Sequence, residues 1–142
     1  MSANNEIMSI MQQIRDSAKN LSKDLDKNDS REKTQEDLEQ LTLSFQDLKD
    51  IYSALNEQDS ENLNREAREW LSGKEDFQTY MRDVKKIIMD IKTRINSDKK
   101  VEEKVADNLP EDHQNEAPSS LVQGFQNILE KIAQWTEKAG SR

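Results

Sequence analysis

The stretch Phe77-Gln-Thr-Tyr-Met81-Arg-Asp-Val84-Lys-Lys-Ile-Ile88-Met-Asp-Ile91-Lys-Thr-Arg-Ile95 decides the fold. Large apolar residues stand at 77, 81, 84, 88, 91 and 95, in alternating steps of four and three. A helix of 3.6 residues per turn brings all of these to one face, whereas a strand would scatter them over two. Charged and polar residues dominate the positions between, so the segment reads as an amphipathic helix with a coiled-coil-like seam.

Working upstream, the same phase continues through Trp70, Ala67 and Leu63, with Lys74 at the position where an apolar residue is missing and Gly73 beside it. Unbroken phase predicts one long helix over 60–98, bent at Gly73. The alternative is a restart at Ser72, which stands at capping-box spacing from Glu75. Further upstream the series Leu38, Leu41, Phe45, Leu48, Tyr52 and Leu55 predicts a helix over 31–57. The series Ile7, Met11, Ile14, Ala18, Leu21 and Leu25 predicts one over 4–26. Asp29, Ser30, Thr34, Asp59 and Ser60 are the candidate N-caps between them.

Downstream the pattern lapses. Both prolines, Pro110 and Pro118, fall among acidic and polar residues, with Leu109 the one sizeable apolar side chain. Residues 108–118 therefore read as a flexible acidic linker. A last amphipathic helix over 119–139 follows, carrying Leu121, Phe125, Ile128, Ile132 and Trp135 in phase and ending at Ala139-Gly140. The expected architecture is all-α: an antiparallel bundle of about four amphipathic helices, the third the longest, with residues 1–107 as its core. A third helix of about forty residues would span roughly 60 Å and overhang the rest. That mismatch raises the expectation of a homodimer.

Composition narrows the function classes. Lys and Arg number 21 against 29 Asp and Glu, a net charge of -8, which disfavours nucleic acid as a partner because phosphate binding needs a basic footprint. The imbalance is greatest over 1–80, with 10 basic and 18 acidic residues, whereas 81–104 holds 8 basic and 5 acidic. The chain has no cysteine, so neither a disulfide nor a thiolate nucleophile is available. No apolar run approaches the length of a membrane span, and the first residues lack the basic and apolar regions of a cleaved signal. A cytoplasmic protein is expected, with export by a route lacking such a signal as the variant.

No catalytic, cofactor-binding or metal-binding constellation is legible. The single histidine, His113, lies in the expected linker, and three glycines (Gly73, Gly124, Gly140) make no phosphate-cradling loop. Glu32, Glu36 and Glu39 share a helical face and read as solvated. Trp70, Phe77, Phe45, Phe125 and Trp135 sit on the seams and read as core. The sharper expectation concerns the last helix, which a linker could release to seat Leu121, Phe125, Ile128, Ile132 and Trp135 in a partner's groove. Function is thus expected to be non-catalytic protein–protein interaction: an adaptor, a secretion-type chaperone or a secreted effector. A structural coiled-coil homo-oligomer is the alternative, followed by an acidic inhibitor that mimics nucleic acid and, last, an enzyme.

Overall fold

The computed structural model describes residues 3–27, 31–57 and 61–138. Among these residues the chain is all-helical, with six α-helices and one short 3-10 turn, and no strand. The helices are α1 (Ala3–Asp26), α2 (Arg31–Glu57), α3 (Glu61–Ser72), α4 (Glu75–Ser97), α5 (Lys99–Asp107) and α6 (Pro118–Glu137). The cap candidates Asp29, Ser30, Asp59 and Ser60, and the expected stop at Ala139-Gly140, lie outside the described residues.

The seams fold inward as their spacing demands. Ile7, Met11, Ile14, Ala18, Leu21 and Leu25 are buried on α1, and Leu38, Leu41, Phe45, Leu48 and Leu55 on α2. Phe77, Met81, Val84, Ile88, Ile91 and Ile95 are buried on α4, and they join the first two sets in one core.

The expected single helix over 60–98 is corrected by the structure. The chain leaves the helix at Gly73 and Lys74, the latter extended at φ -94° and ψ 111°, and starts again at Glu75. Leu71 and Phe77 flank the break and are both fully buried. On one straight helix, side chains six residues apart point about 120° away from a common face. The break lets both reach the core. Lys74, exposed, lies 4.5 Å from the Trp70 ring centroid, a cation–π contact on the outside of the corner. A second interruption at Asp98 starts α5, where the Asp98 carboxylate accepts a hydrogen bond from the Lys100 backbone N–H at 3.0 Å.

Pair contacts give the helix directions. Arg15 stacks over Tyr80 at 4.2 Å and Arg94 pairs with Asp26 at 2.8 Å, so α1 and α4 run parallel. Phe45 meets Phe125, and further along Tyr52 meets Trp135, so α2 and α6 are also parallel. Lys92 donates to Gln123 and Gln126 while Lys85 pairs with Glu130, so α4 and α6 are antiparallel. Packing joins α1 to α2 and α4, and α6 to α4 and α2, a closed ring in which α2 and α4 stand at opposite corners. The bundle thus mixes parallel and antiparallel neighbours, where a uniformly antiparallel arrangement was expected.

This arrangement gives α3 its task. A direct loop from α2 to α4 would have to cross the diagonal of the ring, about 11–14 Å for helices packed 8–10 Å apart. With 12 residues, α3 spans roughly 18 Å. It lies against α6, α4 and α1, across one end of the bundle.

The segment expected as a linker is built differently too. Leu109 is 1% exposed and Asn108 3%. The Asn108 side chain donates to the Lys104 carbonyl at 2.7 Å, and Gln114 donates to the Leu109 carbonyl at 3.0 Å. Residues Glu111–His113 form the 3-10 turn, and Pro118, buried, occupies the first turn of α6, where its missing N–H costs nothing. At the same end, Lys104 of α5 donates to the Asp24 and Lys27 carbonyls, satisfying the C-terminus of α1.

Candidate functional site

The five residues singled out for partner binding belong to the core. Leu121, Phe125, Ile132 and Trp135 are at most 6% exposed, and Ile128 is half-buried against the same cluster. Phe125 stacks on Phe45 with ring centroids 4.1 Å apart and planes 7° from parallel. Trp135 meets Tyr52 edge-on at 6.5 Å. The structure therefore brings the stripe together, but facing α2 and α4 rather than solvent.

What reaches solvent is the seam between α2 and α6. These two helices pack more sparsely than the other neighbouring pairs of the ring. Two adjoining cavities open there, of about 590 and about 380 Å³, with Thr42, Gln46 and His113 in the wall of both. They form one groove. Its floor is the edge of the Phe45–Phe125 stack with Leu121 and Ile128, and Leu43 stands on its α2 bank, 55% exposed. The 3-10 turn closes one end. The walls carry four carboxylates, Glu39, Glu111, Asp112 and Glu116, against one ammonium, Lys49. His113 is partly buried in this wall, with Nδ1 3.2 Å from the Glu116 carboxylate but off the hydrogen-bond direction.

Gly124 lines the same groove from the middle of α6. A Cβ built there would meet nothing within 4 Å. Gly73 differs, because its Cβ would lie 3.4 Å from the Glu69 carbonyl oxygen. Sequence reasoning passed over Leu43 and weighed Gly124 only as a loop glycine. Each left a signal: a leucine two residues off the α2 seam, and a helix-weakening residue inside a strongly periodic helix.

A second cleft, of about 530 Å³, lies where α4 begins beside the end of α6, with Met81 in its wall. Its charged walls carry both signs, Arg82 and Lys85 against Glu137. At the opposite end of the bundle two carboxyl groups meet. Asp24 is 3% exposed with Oδ2 lacking a hydrogen-bond partner, and it shares a hydrogen bond with Asp37. Burial, then that hydrogen bond and the negative charges of Asp24 and Glu36, push the Asp37 carboxyl from its ordinary 3.8 up to about 7, against the opposing pull of Lys33.

Among the described residues no three His, Asp or Glu side chains converge into a metal-binding group, and no helix is long and apolar enough to cross a membrane. No family model, curated protein or solved structure matches the chain.

Proposed function

We propose that this protein is a non-catalytic interaction module that binds another protein along the groove between α2 and α6. The observation that carries this reading is the groove itself: a long, apolar-floored opening along the most sparsely packed seam of the ring. Grooves between paired helices accept a further helix because its side chains complete the same ridge-and-groove packing. The adaptor, chaperone and effector expectations all share this requirement.

Neither an overhanging helix nor an unstructured tether is found among the described residues. The homodimer rested on an overhanging third helix, yet the breaks leave α4 with 23 residues, close to the 24 of α1, the 27 of α2 and the 20 of α6. Release of α6 rested on an unstructured tether, whereas Leu109 and Pro118 are buried at its start. Binding thus belongs to α6 in place, at the edge where Leu121, Phe125 and Ile128 meet the groove, rather than to a released helix.

The test is site-specific photo-crosslinking in the native cells, with a benzophenone side chain in place of Gln46, an exposed residue of the groove wall. A discrete adduct with a second polypeptide is expected, lost when Leu43→Gln is added. An adduct of twice the chain's own mass would instead favour the structural homo-oligomer, and absence of any adduct would end the reading.

A further inference from the structure

Two independent features of the groove say what should lie in it. The first is charge. Glu39, Glu111, Asp112 and Glu116 stand around an apolar floor, with Lys49 alone opposing them. Like charges brought against this wall would be repelled and opposite charges steered in, so an acidic occupant is disfavoured and a basic one selected. The chain as a whole reinforces the choice, since its net charge is -8.

The second feature is Gly124. A glycine in a helix interior costs roughly 0.5–1 kcal/mol relative to alanine. Such a cost is usually offset by a close approach that a Cβ would obstruct. No such approach exists among the described residues, because the Cβ position faces open space. The missing side chain instead deepens the groove at the point where it passes Phe125 and Ile128. A backbone coming from outside is the approach that would use it.

Length completes the description. The groove follows α2 from Gln35 to Lys49, about 21 Å of helix, enough for about four turns of a second one. Deepening the reading of the protein as an interaction module, and resting on it, we infer that the groove takes a basic amphipathic helix of a partner protein. Its apolar edge covers Leu43 and Ile128 above the buried Phe45–Phe125 stack, its backbone passes closest at Gly124, and its Lys or Arg side chains meet Glu39, Glu111, Asp112 and Glu116.

Three synthetic helices of about five turns serve as probes, identical on the apolar face and carrying Lys, Gln or Glu on the polar face. Binding to the full chain is followed by fluorescence anisotropy and placed by amide chemical shifts. The Lys helix is expected to bind at least about tenfold tighter than the Glu helix, by an advantage that shrinks between about 0.01 M and about 0.15 M salt. Gly124→Gln and Leu43→Gln, neutral changes at sites facing open space or solvent, are each expected to weaken it at least about fivefold. Met89→Gln, an equally exposed change on α4, leaves it unaltered. Thermal melts confirm that every variant folds.

If the Gln or Glu helix binds as tightly as the Lys helix, and Gly124→Gln weakens it, the basic occupant is overturned while the interaction module stands. Lys-helix binding that ignores Gly124→Gln and Leu43→Gln would reduce the effect to general attraction by an acidic surface and overturn the groove as its site. Absence of binding by all three overturns the inference; the cross-linked adduct at Gln46 then decides separately whether the module reading survives.

Discussion

Asp37 holds its proton up to about pH 7 in the folded protein, where Asp24 accepts its hydrogen bond, while an unfolded chain releases it near 3.8. Between those values the folded state binds more proton than the unfolded state, so this pair's contribution to stability is whole below the window and fades as the pH rises through it. Asp37→Asn keeps a donor toward Asp24 and removes the titration. The variant should match the parent at acidic pH and exceed it above neutrality, read as urea midpoints across the range. A parent and variant that fall in parallel from acid to alkaline pH would place the shared proton elsewhere. Asp24 and Asp37 were not legible as a pair, since proximity between the end of one helix and the start of the next is not written in either helix's own spacing. His113 shows the same limit: it reads as a loop residue, yet Leu109 docks the loop and turns His113 into a groove wall.

At the scale of elements, periodicity was informative wherever a seam was long. The alternating steps of α1, α2 and α4 place their buried residues with few exceptions, such as half-buried Tyr52, whereas on the shorter α3 the seam residue Leu63 is 54% exposed. Preserved phase misled at Gly73, because phase records which face is apolar and not whether the axis continues. The last helix gives the sharpest prediction. It buries Leu121, Val122, Phe125, Leu129, Ile132 and Trp135. At about 1.5–3 kcal/mol each, these exceed much of the net stability of 5–15 kcal/mol typical of a domain. A chain ending at Asp107 should therefore lose its cooperative melt and near-ultraviolet signal, and Phe125→Ala alone should cost about 3–5 kcal/mol in urea titration. A truncated chain that melts cooperatively would return α6 to the role of a detachable arm.

For the whole molecule, the all-α class followed from spacing alone, but the ring order did not. Nothing in the separate seams says that α2 and α4 stand on a diagonal, or that α3 has to cross it; these are properties of four helices closing together. One consequence concerns force. Parallel α1 and α4, with α6 antiparallel to α4, bring the start of α1 and the end of α6 to the same end, both against α3. Tension applied through exposed Asn5 and Glu137 would peel the two helices away turn by turn, whereas tension between Asn5 and exposed Asp107 would slide α1 along α4 and break its contacts together. Since the sequence contains no cysteine, a pair introduced at either set of positions directs the load without ambiguity. In an optical trap the first geometry should yield at a distinctly lower force than the second, which makes this a bundle that resists shearing and opens like a zip.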